Sequence, residues 1–492
     1  MITNLNNRHT PAFVLLSILL LVFFSCRKTD IIDDNPDLSL GFSTDTVIFD
    51  TVFTSLGSAT QFLKVYNPSA NAVNISSIKL ARGEESRYRI NIDGEPAFAI
   101  DDYKLEGNDS LYIFVRVTID PTGQNNPFVV SDSIIFETNS NFQDVDLVAW
   151  GQNANYILAD TEIPGLPKFK IVAGEFEDVT WTSDKPYVIY GYAVVDSNGV
   201  LRVDAGTQIH FHDRSGLWVY KGGSIKVNGT LDEPVVFQGD RLEDFYEDLP
   251  GQWDRIWINE GSIDNEINYA IIRNGFIGIQ AETLQEQMGN SLIIKNTIIE
   301  NMSGVGLFSR FYNITATNCL FANSGQFSAA LTWGGLYDFR HCTFANYWPY
   351  GVRPDELLAM NNFVEDENGN ITAFEFDAYF GNCIAYGRNI EELLFSFDEG
   401  APYTYLFDHC LLKTEKDITD QERFRDSFKN EDPLFKDYLE GDYSLDTLSP
   451  AIDYGTLDVI NTSAIDLSND ILNVNRLPEP DLGAYEFVPG RK

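Results

Sequence analysis

"HCTFANY", residues 341–347, echoes "NCLFANS", residues 318–324, and fainter echoes follow at "NCIAYGR", 382–388, and "HCLLKTE", 409–415. Each reads as a polar residue, a cysteine, then two mostly apolar residues. Upstream, Ala270-Ile271-Ile272-Arg273-Asn274 and Thr297-Ile298-Ile299-Glu300-Asn301 fall into the same register. Successive steps from Ala270 through Thr297, Cys319, Cys342 and Cys383 to Cys410 are 27, 22, 23, 41 and 27 residues. Short strands returning at such a period are the mark of a solenoid whose coils stack on one another. Only the step of 41 is long, and "RPDELLAMNNFVEDENGN" supplies its extra residues as an inserted loop near 354–371. Within that loop "EDENGN" lacks the spacing of a Ca2+ loop and reads as a tight hairpin.

Residues i and i+2 of a strand share a face. Cys319 with Phe321, and Cys342 with Phe344, therefore point inward and stack on the rungs above and below. Asn274, Asn301, Asn323 and Asn346 are expected to form a ladder at the corner, where Asn tolerates a left-handed backbone and bonds its neighbour's backbone. Rungs lie about 4.8 Å apart with nearly parallel side chains, whereas a disulfide needs converging Cβ atoms about 3.8 Å apart. Cys319, Cys342, Cys383 and Cys410 are thus expected as free, buried filler.

The same pattern opens near Trp181. In "GVLRVDAGTQIHFHDRSGLWVYKGGSIKVNGTLDEPVVFQG", Leu201 and Val203 match Ile225 and Val227, and Ile209 and Phe211 match Val235 and Phe237. With three short strands per period, residues 181–488 read as a right-handed parallel β-helix. Before it, seven alternating runs between residues 41 and 155, from "DTVIFDTVF" to "DVDLVAWGQ", predict an Ig-like β-sandwich. Residues 156–180, with Pro164 and Pro167, read as a linker or entry segment. The fold class is all-β.

Composition agrees with a β-rich chain: of 492 residues 36 are Gly, and 13% are aromatic. A formal charge of −39 repels nucleic acid and a bare anionic membrane. It describes a solvated acidic surface, on which bound Ca2+ is possible, while no motif demands a cofactor.

At the start, "RHTPAFVLLSILLLVFFSC" sets Arg8 and His9 before an apolar run too short to span a bilayer, which reads as a signal peptide over residues 1–25. Its end, Ser25-Cys26, resembles a bacterial lipoprotein lipobox, and its Phe-rich form resembles Bacteroidota-type lipoproteins. The resemblance implies that Cys26 is acylated and anchors the chain in a bilayer, and more than one acyl chain makes such anchoring stable. Residues 26–40 then form a polar tether, and no Asp follows Cys26, which suits an outer-membrane, surface-exposed lipoprotein.

Two further resemblances concern the domains. "FLKVYNPSANAVNISSIKL", "DSLYIFVRVTIDPTG" and "VDLVAWGQ" resemble Ig-like modules of the cilia-and-centrosome type, implying a spacer or adhesive unit. "DAGTQIHF", "PGQWDRIWI", "GDYSLDTLSPAID" and "DLGAYEF" resemble secreted β-helix proteins of the pectin-lyase-like superfamily. That scaffold hosts lyases, hydrolases, adhesins and proteins without known activity, so it implies fold more than reaction.

Candidate functional residues are few. His210 and His212, at i and i+2 with Asp213 nearby, are expected to face outward together, as a metal-binding pair or a plain solvated one. His341 and His409, just before ladder cysteines, are expected to point out of the coil or cap a turn. In the acidic run 240–255, Asp240 with Arg241 and Asp254 with Arg255 are the candidate catalytic sets. A hydrolase would need two carboxyls about 5 to 10 Å apart, and a lyase would pair Ca2+ with an Arg or Lys base. Neither the dense Asp signature of polygalacturonase-like hydrolases nor a lyase-type Arg motif is present. Trp218, Tyr220 and Trp257 are expected on the outer face, suited to stacking on sugar rings or to covering by another segment. The sequence therefore leads to a surface lipoprotein that binds an extracellular polysaccharide without turnover. The alternatives are a polysaccharide lyase or glycoside hydrolase working from loop 240–255, and a structural or adhesive surface protein.

Overall fold

The computed structural model describes residues 31–490 except 55, 56, 59, 121–127, 260 and 284–290. The signal peptide and Cys26 lie outside the described residues. Chain contacts divide the protein after Gln152 into two units.

The first unit is a β-sandwich of two five-stranded sheets. One orders Gly41–Phe42, Gln61–Tyr66, Ser110–Val117, Tyr88–Ile92 and Glu95–Ala97; the other orders Thr46–Phe53, Asn141–Gln152, Phe128–Thr138, Val73–Leu80 and Ala99–Leu105. Alternation drives the packing. Along Ser110–Val117, Leu111, Ile113, Val115 and Val117 enter the shared core, while Tyr112, Phe114 and Arg116 face out. Each buried aliphatic chain is worth roughly 1.5–3 kcal/mol. The seven runs legible in sequence are all strands. Three more are Gly41–Phe42, Glu95–Ala97 and Ala99–Leu105, which bury little and so carry no clear alternation.

The second unit is a parallel β-helix. Asn155–Leu158, Phe169–Ala173 and Asp178–Trp181, read in sequence as a connecting stretch, already pair into its sheets. An eleven-stranded sheet runs along one side, and a seventeen-stranded sheet covers the rest as two columns. The columns merge where Val305–Thr317 and Ala329–Arg340 each run through both. The column from the opening motif is in register: Ile271, Ile298, Leu320, Thr343, Ile384 and Leu411 pair in succession. One match is offset, because Ile209 pairs with Phe237 rather than Val235. The turn between Asn228 and Val235 is longer than its counterpart one coil earlier. In the inserted loop Leu358–Asn361 is itself a rung, and Phe363–Glu365 with Ile371–Ala373 makes a projecting hairpin.

Asn296, Asn318, His341, Asn382, His409 and Asp426 all adopt φ between 44° and 51°. They turn the corner that delivers the next residue inward, which explains the polar residue before each cysteine. Asn and His are among the side chains that accept this backbone most readily. The side-chain ladder also sits here, with Asn296 Nδ2 donating to Asn268 Oδ1 at 3.0 Å and Asn318 Nδ2 to Asn296 Oδ1 at 3.2 Å. The column expected from sequence is a separate one that bonds backbone: Asn274, Asn301 and Asn323 are left-handed, with φ of 66°, 55° and 49°, Asn274 donates to Glu247 O and Asn323 accepts from Tyr347 N. Asn346 ends a strand and donates to Ser324 O.

Cys319, Cys342, Cys383 and Cys410 are free and buried. Cys319 Sγ lies 3.2 Å from Thr317 O and Cys410 Sγ 3.2 Å from Phe380 O. Burial pushes the Cys342 and Cys410 thiols up. Beside them Phe339, Phe380 and Phe407 stack face to face at 5.1 and 4.6 Å.

The C-terminal segment covers the outer face of the eleven-stranded sheet along its side. Phe435, Tyr443, Leu445, Ala451 and Leu482 pack on Leu320, Ala322, Ala345, Ile384 and Leu411. Ala484 N donates to Thr343 Oγ1 at 2.9 Å. His341 is buried beneath this cover rather than facing solvent, and its Nε2 meets Asn382 Nδ2 at 3.0 Å.

Candidate functional site

Loop 240–255 carries the chain from the eleven-stranded sheet to the seventeen-stranded one. Its anchor is Trp253, 1% exposed, which stacks on Phe211 at 4.6 Å inside the coil and donates from Nε1 to Arg273 O. The acidic candidates leave this loop in different directions. Asp240 accepts from His212 Nδ1 at 2.8 Å and from Tyr190 Oη at 3.4 Å. Burial raises the Asp240 pKa, against the opposing pull of His212. Arg241 does not pair with Asp240: it turns to Glu243 at 3.1 Å and lies 4.1 Å above the Tyr246 ring.

The two histidines separate. His210 is buried, with Nδ1 3.0 Å from Gly239 O, and burial lowers its pKa to about 4. His212 remains half exposed, stacked on Tyr190 at 4.2 Å. The expectation that both imidazoles face solvent as a pair fails because loop 240–252 folds back over that side of the sheet. Gln252 N bonds Asn274 O, and Gly251 N bonds Gly275 O. Among the described residues no group of three or more His, Cys, Asp and Glu converges to hold a metal ion.

Asp254 and Arg255 do pair, at 2.8 Å, and they begin a longer network on the outer face of the seventeen-stranded sheet. Tyr192 Oη donates to Asp254 Oδ2, and Arg255 Nη1 donates to Gln280 Oε1. Gln280 Nε2 then donates to Glu282 Oε2 at 2.8 Å, and Trp257 Nε1 to Glu282 Oε1 at 2.6 Å. Arg310 Nη1 closes the chain on Glu282 at 3.3 Å. Neither Gln280 nor Glu282 was singled out in sequence; their signal was only i+2 spacing on a strand paired beside Trp257.

The aromatics share one column, with Trp218 paired to Trp257 and the indoles stacked at 5.0 Å. Trp218 is nevertheless not an exposed platform. Phe169 meets it edge-on at 6.2 Å, Tyr220 at 5.5 Å, and its Nε1 donates to Asn259 Oδ1 at 2.7 Å, leaving it 6% exposed. Tyr220 and Trp257 are half buried.

Two rungs further on, the same face opens into a groove of about 490 Å³. Ile277, Val305, Ala330 and Ala359 form an apolar cluster with Phe308 and Phe327 packed against it. Arg255, Gln326, Thr332, Asn361 and Ser396 supply polar groups around it. Arg310 stands 4.6 Å over the Phe308 ring, and Arg255 5.7 Å over Phe276. An apolar floor with convergent polar groups is the general form of a small-ligand site.

Among solved structures, likenesses occur to a family 123 glycoside hydrolase from Clostridium perfringens at 9% identity and to the ASH/PapD-like domain of human CEP192 at 9%. A third is to a chain of the Salmonella enterica SafA pilin in complex with the SafB chaperone, at 13%. They cover 24%, 26% and 24% of this chain and 30%, 94% and 55% of those chains, each with a TM-score of 0.17. The chain thus spans under a third of the glycoside hydrolase it matches, and likenesses at that score carry no argument. No curated protein matches the sequence. Residues 174–265, which include Tyr192, His212, Trp218, Asp240, Asp254, Arg255 and Trp257, match the family model of the pectate-lyase like beta helix domain.

Proposed function

We propose that the β-helix holds an extracellular polysaccharide in the groove between Arg255 and Ser396, without turning it over. The groove itself carries this reading: sugar C–H faces suit Phe276, Phe308 and Phe327, and hydroxyls suit Gln326, Thr332 and Asn361. Both arginines at the groove are already engaged by carboxylates, Arg255 by Asp254 and Arg310 by Glu282, so they suit orienting a chain better than taking a proton from it. The pectate-lyase-like match supports a carbohydrate-related role and does not separate binding from catalysis. The chain reaches its ligand as an outer-membrane, surface-exposed lipoprotein anchored through acylated Cys26, a reading that rests on the N-terminal sequence. The test is retention of the purified protein in gels containing neutral or uronic polysaccharides, alongside assay for new reducing or unsaturated ends. Phe308→Ala is expected to weaken retention roughly tenfold, the worth of about 1.4 kcal/mol of ring contact. Retention unchanged in Phe308→Ala and Phe327→Ala overturns the groove.

Turnover from loop 240–255 is the second reading, and Asp240 favours it. Its buried carboxyl, with a raised pKa, touches the half-exposed His212, an arrangement suited to general acid chemistry. New chain ends that vanish in Asp240→Asn, with retention intact, would replace the first reading by this one.

A further inference from the structure

The sandwich carries a surface that the groove reading does not use. On the outer face of the sheet holding Gln61–Tyr66 and Ser110–Val117, four aromatic rings stand in the open. Phe62, Tyr66, Tyr112 and Phe114 are 57%, 39%, 44% and 44% exposed. Register fixes them as one patch, because Phe62 pairs with Phe114 and Lys64 with Tyr112 across adjacent strands. Tyr112 and Phe114 lie 6.5 Å apart with planes within 19°, and Phe62 lies 6.0 Å from Tyr112. Gly41 pairs opposite Tyr66, so no side chain on that neighbouring strand covers the ring.

Charge on this face opposes that of the chain. The protein has 34 Lys and Arg against 73 Asp and Glu. Yet Lys64, Arg116 and Arg89 project here, with Arg116 paired opposite Arg89. Among the described residues none of the three meets a carboxylate. Lys64 Nζ instead lies 5.1 Å from the ring centres of both Tyr66 and Tyr112, and Arg89 donates to Ser86 O and Tyr88 O. An ammonium held above ring faces meets the acidic group of anything laid on those rings. At physiological salt, fields fade over about 8 Å, so the local cations and not the net charge of −39 decide what binds there.

We propose that this face of the sandwich is a second glycan-binding site, selective for an anionic polysaccharide bearing carboxylate or sulfate groups. Rings present apolar faces to sugar C–H groups, and Lys64, Arg116 and Arg89 supply the charge. Four half-exposed rings offer a few hundred Å², which fits a glycan segment and falls short of the roughly 800 Å² per partner of a stable protein interface.

The experiment measures migration of the full chain through gels containing polygalacturonate, alginate or chondroitin sulfate, with dextran as the neutral control. Working in a Phe308→Ala background weakens the groove, and face variants are compared within that one background, so failure of the groove reading leaves this test untouched. The expected result is retardation by at least one anionic polymer and none by dextran. Tyr112→Ala and, separately, Lys64→Gln should each weaken it at least tenfold, and Tyr112→Phe should retain it. Tyr112 is exposed and Lys64 half-buried on the outer face, and unchanged melting temperatures confirm that the variants fold. No retardation by any anionic polymer, equal retardation by dextran, or retardation unchanged in both Tyr112→Ala and Lys64→Gln overturns the proposal. So does binding of a purified protein through this face with no polysaccharide retained.

Discussion

Arg476 and Asn318 are 158 residues apart in the chain, and the guanidinium donates to the Asn318 amide oxygen at 3.0 Å. Arg476 is fully buried and also donates to Glu486 at 2.5 Å and to Gly483 O at 3.2 Å. It therefore ties the C-terminal cover to the corner ladder of the coil. Removing one partner of a buried ion pair leaves the other uncompensated, at a cost of about 3–5 kcal/mol. Arg476→Ala should lower the urea midpoint accordingly and open residues 435–488 to protease. An unchanged midpoint with an intact C-terminus would show that the apolar contacts alone hold the cover.

Glu486 gives that cover a pH dependence. Burial, against the pull of Arg476, raises its pKa from 4.5 to about 7. The folded-state value lies above the unfolded one, so its contribution is fully present below about pH 4.5 and is lost as pH rises to 7. The linkage is on the order of 3 kcal/mol. The difference in stability between the protein and Glu486→Gln should therefore change across that window in the direction of a protein that weakens as pH rises. A difference flat from pH 4.5 to 7 would place an ordinary carboxylate there.

The cysteine column predicts silent thiols. Cys319, Cys342, Cys383 and Cys410 are buried and unpaired, and reagent does not reach a thiol closed inside the coil. Maleimide should label none of the four in the native protein and all four in denaturant without reductant. Labelling that required reductant would reveal disulfides.

The coil pattern was legible because a buried rung constrains every second residue. Phe321 and Phe344, stacked at 4.9 Å, were predictable from the alternation of "CLF" and "CTF" alone. The end-of-strand Asn column was conspicuous, while a second corner column, which carries the side-chain-to-side-chain ladder, hid in a mixture of Asn, His and Asp. Outward residues were legible only as outward. Whether such a residue meets water depends on segments distant in sequence, as with His341 beneath residues brought from beyond 450. The groove escaped notice for the same reason, since Phe276, Phe308 and Phe327 come from successive coils and share no motif.

Trp218 tests the line between outward and exposed. Had it been a sugar platform, replacing it would cost affinity and little stability. Buried between Phe169 and Trp257, with Nε1 bonded to Asn259, it should behave as a core residue. Trp218→Ala is expected to cost about 3–5 kcal/mol, as large-to-small changes in packed sites do. Trp218→Phe keeps a ring but orphans the Asn259 amide oxygen, at about 1–3 kcal/mol. Trp257→Ala, half buried and bonded to Glu282, should cost less than Trp218→Ala. The ordering Trp218→Ala above both others in denaturant midpoint loss, with polysaccharide retention of folded Trp218→Phe unchanged, is the expected outcome. Retention lost in Trp218→Phe at full stability would return the ligand to this column and move the binding site two rungs toward the N-terminal end of the helix.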